Sequence, residues 1–344
     1  MKRVDVLIVG GGPAGSTCAY ELSKRGLKVL VVDIKRRIGV PVQCAEFVPI
    51  QLYHQFKEFF PEGSIAQRVE DMLSFTPWGE VVSIKSEGFV LNREVFDHHI
   101  AELAQKHGAE YMLRIKFVGF EGKKAYLERI DTREGFWVEA DFIVGADGPR
   151  SKVARLTGKA TKNFLTTAQA SVPLKVPTKD LLIYLRHYIP GGYGWLFPKG
   201  NLANVGVGIC PSYPINIMES LKILLEELKA EGLIEIKIIK RTGGWIPADG
   251  LLPLVRGRAV LLGDAGGFCH PITGGGIANA VMSGSMAGKS IDKLQDFEEE
   301  AMETFGPSLW RASEKRKKYM KRWDNLKEII PKTWIAFEEY WHII

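Results

Sequence analysis

Residues 4–33 constrain this chain most. VDVLIV is an apolar run ended by Gly10-Gly11-Gly12, the following PAGSTCAYELSKRG places Ala14, Cys18, Ala19 and Leu22 on one helical face, and LKVLVVD is a second apolar run ending at Asp33. Near-continuous apolar runs suit parallel strands buried on both faces, so the segment predicts a βαβ unit. Gly10, Gly12 and Gly15 form G-x-G-x-x-G between its first strand and its helix, which lets backbone N–H groups at a positive helix end approach a pyrophosphate. Asp33 is placed to accept hydrogen bonds from a ribose hydroxyl. A tight turn beside a solvated acid is the plain alternative. Arg36 and Arg37 would suit a 2′-phosphate, so the unit alone leaves FAD, NAD and NADP open.

The chain has 344 residues and is 46% hydrophobic, enough for two or three domains or one with large insertions. Lys plus Arg number 46 against 40 Asp plus Glu, a basic excess that permits an anionic ligand or membrane surface without demanding one. The basic residues are scattered except near the C-terminus, which argues against nucleic acid as a partner. Cys18, Cys44, Cys210 and Cys269 form no CxxC pair, so no disulfide framework, zinc or iron–sulfur site is indicated, and a reducing cytoplasm is expected. No stretch approaches the roughly 18 apolar residues of a spanning helix, so a soluble or peripheral protein is expected.

Further along, NREVFDHHIAELAQKHG has helical spacing with Asn92 as a candidate N-cap. WVEADFIVGADG reads as a strand entering a turn at Asp147. TTAQASVPLKV, LLIYLRHYI and LANVGVGI read as sheet strands, and IMESLKILLEELKAEG as an amphipathic helix. GRAVLLGDAGG is one more strand, ending in Gly263-Asp264, and Gly274-Gly275-Gly276 precedes a helix starting near Ile277.

VGADGPRSKVAR and LLGDAGGFCHPITGGGI, taken with Gly10–Gly15, resemble the three fingerprints of flavoproteins with the p-hydroxybenzoate hydroxylase fold. The resemblance implies an α/β, Rossmann-like FAD-binding fold (glutathione reductase type 2) with an inserted antiparallel-sheet substrate domain and a short C-terminal helical region. It implies that Gly10, Gly12, Pro13, Ala14, Gly15, Asp33 and Ile34 hold the ADP half of FAD, with Asp147 near the pyrophosphate. Gly263 and Asp264 would meet the ribityl and pyrophosphate region. Pro271, Gly274, Gly275, Gly276 and Ile277 would lie beside the isoalloxazine, toward which Arg93 reaches. The positive end of the last helix would favour an anionic reduced ring. The expected cofactor domain is 1–60, 85–160 and 245–295, the substrate domain 61–84 and 161–244, and the tail 296–344.

In GGYGWLFPKG, Tyr193, Trp195 and Phe197 alternate, so in a strand they share one face and could line an apolar, substrate-binding slot; a plain sheet core is the alternative. The segment resembles the geranylgeranyl reductase branch of the fold, as do PVQCAEFV with Cys44 and RTGGWIPADGLLPLVRGRAVLLGDAGG. That resemblance spans residues 1–295. It implies reduction of carbon–carbon double bonds of an isoprenoid or prenyl-lipid substrate, as in archaeal-type membrane lipids. Cys44, Tyr193 and His270 are the candidate proton donors, with a small buried hydrophobe the plain alternative for Cys44 and a loop cap or brace that for His270, and Trp195 joins them in the expected catalytic set. No second G-x-G-x-x-G supplies a nicotinamide domain, so an external electron donor is expected: ferredoxin, reduced deazaflavin or NADPH. A flavin monooxygenase, a halogenase and a non-catalytic flavin- or membrane-binding module are the competing readings. In the tail, EKRKKYMKRWDNLKEII and PKTWIAFEEYWHII could hold anionic lipid headgroups or pack as a charged helix on the body or at a dimer contact. Metal is not expected, and the oligomeric state is open.

Overall fold

The computed structural model describes residues 1–320 and 322–342, so Lys321 and the last two residues of the expected tail lie outside the described residues. Two eight-stranded sheets carry the fold. In the first, Lys2–Val9 is central, paired in parallel with Val29–Asp33 on one side and Gly135–Gly145 on the other. Glu110–Leu113 and Ala259–Leu261 extend it, again in parallel. The register aligns Val9 with Val32 and Gly145, and Gly145 with Leu261. Four strands therefore deliver their carboxyl ends to one edge, where the chain continues into Gly10, past Asp33, into Asp147 and into Gly263-Asp264. Strand order reverses beside Lys2–Val9, the place where open α/β sheets bind ligands.

Two helices cover that sheet beside the edge. Pro13–Lys24 and Ile277–Lys289 run parallel at backbone contact: a Cβ on Gly284 would lie 2.3 Å from the Ala14 carbonyl oxygen, and one on Gly288 3.0 Å from that of Cys18. Ile277 thus begins about one turn beyond Pro13. Both N-termini point toward the same opening.

The second sheet runs Lys240–Pro247, Phe164–Pro173, Leu202–Ile209, Tyr193–Lys199, Leu181–Tyr184, Ile65–Phe75, Val81–Leu91, Phe47–Pro49. Its pairings are antiparallel except that of Leu181–Tyr184 with Ile65–Phe75. The expected boundary at residue 84 falls inside Val81–Leu91. Phe47–Pro49, expected in a cofactor segment, and Lys240–Pro247, which the expected boundary at residue 244 divides, are edge strands of this sheet. Period-two alternation separates its faces. Leu182, Leu196 and Val205 pack under the amphipathic helix Ile217–Ala230, while Ile183, Trp195 and Phe197 point the other way.

That other face is covered by the C-terminal segment. The helix Leu294–Tyr319 leads to Leu326–Thr333, and Trp323, Ile330, Trp334 and Tyr340 are buried against the aromatic strand. Indole nitrogens anchor the cover: Trp334 donates to Ser74 Oγ at 2.7 Å and Trp323 to the Arg186 carbonyl at 3.2 Å. Of the two sequence readings of the tail, packing on the body accounts for these aromatics, so they do not face lipid. Among the described residues, no helix is long and apolar enough to cross a membrane.

Candidate active site

Gly10 has φ +103°, and a Cβ there would lie 2.2 Å from the Ala146 carbonyl oxygen, so the turn requires glycine. A Cβ on Gly12 would meet nothing within 4 Å: this glycine faces open space, as backbone approach to a pyrophosphate requires. The helix behind it opens with Pro13 and has neither a side-chain cap nor an acidic residue in its first turn, and the same holds at Gly276 before Ile277 apart from the proline. Two positive helix ends are thus left for an outside acceptor. Buried Asp33 receives Gly11 N–H and Lys35 N–H, both at 2.8 Å, one on each oxygen, which fixes the carboxylate and leaves lone pairs for a ribose. Ile34 beside it is 61% exposed.

Asp147 is engaged with its own turn. Ser151 Oγ and the Lys152 and Val153 N–H groups donate to it, so its carboxylate braces the start of the short helix Lys152–Leu156. Burial pushes its pKa up, and those donors pull it partly back. Asp264 differs. Burial pushes its carboxyl up to about 6 against the pull of Arg93, and its Oδ1 would lie 3.2 Å from a Cβ on Gly276. The Gly263 amide donates to Ser283 Oγ at 3.2 Å, tying this turn to the last helix. An acceptor close to two open helix ends fits a ligand that brings hydroxyl donors beside its phosphates, which is the chemistry of FAD.

Gly274, with φ +67°, is demanded by the turn, whereas Gly276 is demanded by its closeness to Asp264 and Cys269. Arg93 begins the helix Arg93–Lys106, and its guanidinium forms a two-pronged pair with Asp97 at 2.7 and 2.6 Å. Burial works against its charge, but Asp97 more than offsets that and raises its pKa. Asn92 does sit at the N-cap position, but its side chain donates to the Gly63 carbonyl at 2.8 Å instead of capping. The cap comes from Glu46, whose Oε1 takes Arg93 N–H at 3.1 Å.

Glu46 is the residue that sequence reasoning missed. It is buried, holds φ +77°, and its Oε2 accepts from Lys199 Nζ at 2.5 Å and Asn204 Nδ2 at 2.9 Å. Its own N–H points to Cys44 Sγ at 3.2 Å; Gln169 Nε2 donates to the Cys44 carbonyl at 3.1 Å, and Gln169 Oε1 accepts from Trp195 Nε1 at 3.0 Å. The Cys44 loop is therefore fastened to the aromatic strand at two points. Burial pushes the Cys44 thiol up, with Arg93 and the Glu46 N–H acting in the opposite direction.

Tyr193, Trp195 and Phe197 do share a face. The Tyr193 ring packs 5.9 Å from Trp195 and 4.8 Å from Trp334, and Phe197 meets Phe47 at 6.3 Å. Tyr193 donates its hydroxyl to the Thr273 carbonyl, and burial raises its pKa, so its proton is committed to the Pro271–Gly276 loop. His270 is a brace: Nδ1 accepts the Ile272 and Thr273 N–H groups at 3.4 and 3.2 Å, and burial lowers its pKa to about 4. The neutral ring leaves only Cys44 of the three expected donors with an uncommitted acidic proton.

This combination of parallel sheet, converging helix ends and acidic turns defines an FAD-dependent oxidoreductase of the p-hydroxybenzoate hydroxylase-like fold. Residues 8–61 match the family model for an NAD(P)-binding Rossmann-like domain, and residues 169–246 match that for the geranylgeranyl reductase catalytic domain. A digeranylgeranylglycerophospholipid reductase from Methanocella arvoryzae is 35% identical, the match covering 90% of this chain and 85% of the relative. The chain belongs to the geranylgeranyl reductase family, FAD-dependent enzymes that reduce C=C bonds. The crystal structure of a geranylgeranyl bacteriochlorophyll reductase-like protein from Thermoplasma acidophilum superposes with a TM-score of 0.84 at 27% identity, covering 97% of both chains. A flavin-dependent monooxygenase solved with FAD and substrate shares the fold at TM-score 0.70 and 16% identity, over 98% of this chain and 69% of its own.

Proposed function

We propose that this enzyme saturates double bonds in isoprenoid chains of a glycerophospholipid, the substrate class in the names of its curated relatives. The observation that carries the reading is the aromatic face of Tyr193, Trp195 and Phe197, which abuts the Pro271–Gly276 loop through the Tyr193 hydroxyl. An isoprenoid has no polar group with which to be oriented along its length, so apolar shape must orient it.

When bound, FAD supplies the hydride that adds to one alkene carbon. The chain's residues do the rest. Gly12 and the helix end at Pro13 would take the pyrophosphate, Asp33 a ribose hydroxyl, Asp264 a ribityl hydroxyl, and the end at Ile277 the polar edge of the ring. Cys44, protonated at neutral pH, gives the proton to the other alkene carbon, with Glu46 N–H and Gln169 holding it in place. The aromatic face excludes water.

Electrons come from an external donor. Contact with a membrane surface, on the cytoplasmic side, would use the exposed Trp310 and Trp341, the latter under Arg311 at 5.7 Å, and not the buried Trp323 and Trp334. Anaerobic mixing of chemically reduced enzyme with digeranylgeranylglycerophospholipid tests the reading: flavin reoxidation with saturated product is expected. Reoxidation only by oxygen, with a hydroxylated product, would favour a monooxygenase instead.

A further inference from the structure

Pro271–Gly276 is held by groups from three distant elements. The Thr273 carbonyl accepts from Tyr193, and the Pro271 carbonyl accepts from Arg316 Nη1 at 3.2 Å. The His270 ring, which fixes the Ile272 and Thr273 amides through Nδ1, meets the Tyr340 hydroxyl at 3.4 Å through Nε2. Because Nδ1 accepts, the ring proton sits on Nε2, so Nε2 donates to Tyr340. Arg316 and Tyr340 both belong to the C-terminal segment that covers the aromatic face, and Trp334 of the same segment packs on Tyr193.

Arg316 is the unusual member. Its side chain lies in a basic run that reads as a solvated face, yet the residue is 8% exposed. Among the described residues no carboxylate pairs with it, and its second prong, Nη2, donates to the Gly191 carbonyl at 2.7 Å. Burying a guanidinium opposite neutral carbonyls costs stability that an apolar side chain of the same volume would not. The two carbonyls belong to the flavin loop and to the turn that launches the strand Tyr193–Lys199. A planar fork reaches both at once; a lysine ammonium, a compact point charge, is poorly suited to bridge them.

We propose that Arg316 is a positioning residue, clamping the flavin loop to the slot strand so that ring and alkene are held at one spacing, while its charge favours the reduced, negatively charged cofactor. The inference rests on FAD occupying the site described above. It also makes the slot's cover and the flavin's seat parts of one assembly.

The test uses purified holoenzyme of wild type, Arg316→Lys, Arg316→Met and Tyr340→Phe, and reads FAD dissociation rate, flavin reduction potential and melting temperature. Arg316→Met is expected to shift the two-electron equilibrium at least tenfold toward oxidised flavin, about 30 mV, and to release FAD faster. Arg316→Lys is expected to restore the potential but keep the faster release, and Tyr340→Phe to release FAD at an intermediate rate. Wild-type release and potential in both Arg316 variants would overturn the proposal. If the methionine variant does not fold, wild-type release in Arg316→Lys alone overturns it. Wild-type protein that yields no FAD on denaturation would instead overturn the flavin reading beneath it.

Discussion

Cys44 keeps its proton at neutral pH because burial disfavours the thiolate, and it is aimed by a neighbour's backbone rather than by a base. Cys44→Ala is expected to lower turnover by roughly 10²–10⁴ with FAD still bound, since that is the usual worth of a positioned acid. Single-turnover reoxidation beside a flavin spectrum checks it. Asp264 should make FAD affinity depend on pH. Its free carboxyl titrates near 6 and a ribityl hydroxyl prefers the ionised form, so affinity rises through pH 6. Asp264→Asn should flatten that profile and weaken binding roughly tenfold to a hundredfold, the scale of one charged hydrogen bond, as read by fluorescence titration. Asp147 and Asp264 stand out in the sequence because each follows an apolar run inside a glycine turn, and Asp33 because it ends the second strand of the βαβ unit. Glu46 does not: its meaning lies in Lys199 and Asn204, more than 150 residues away, and no local pattern announces such a partner.

The two helices whose ends would meet the cofactor depend on glycine to lie at backbone contact. Gly284→Ala would push a methyl group against the Ala14 carbonyl and separate them, costing about 1–3 kcal/mol. The loss should be larger with FAD bound than without, because the two helix ends would no longer converge; melting temperatures of both forms measure it. On the slot side, Trp334→Phe deletes the bond to Ser74 while keeping a ring against Tyr193. It is expected to raise KM for the lipid several-fold with kcat nearly unchanged, as steady-state kinetics would read. The βαβ unit and the alternating aromatic strand could be foreseen because their burial follows period and composition. The tail could not, since aromatics among lysines suit a lipid surface and a protein face equally, and only the presence of an uncovered aromatic sheet decides between them. The same limit blurred the segment boundaries, because Val81–Leu91 and Lys240–Pro247 join a sheet whose other strands lie far along the chain.

Across the whole molecule, two buried groups of the same region respond to acid in opposite ways. His270, lowered to about 4, contributes stability present above pH 6.5 that is lost as pH falls through 4. Asp264, raised to about 6, contributes stability present below pH 3.8 that is lost as pH rises through 6. In the apoprotein they offset each other across this window. Asp264→Asn apoprotein should therefore exceed wild type in stability at pH 7, and that advantage should shrink toward pH 4.5, as denaturant titrations at the two values would measure. The cover of the slot has a temporal consequence as well. A ribosome emits Tyr193–Lys199 more than a hundred residues before Trp323–Tyr340, so the nascent chain carries a finished sheet with a naked aromatic face until its lid arrives. Exposed apolar surface of that kind invites association between chains. Hydrophobic lining and a late-made roof together make the interval of synthesis, rather than the finished enzyme, the stage at which this fold is most exposed to aggregation.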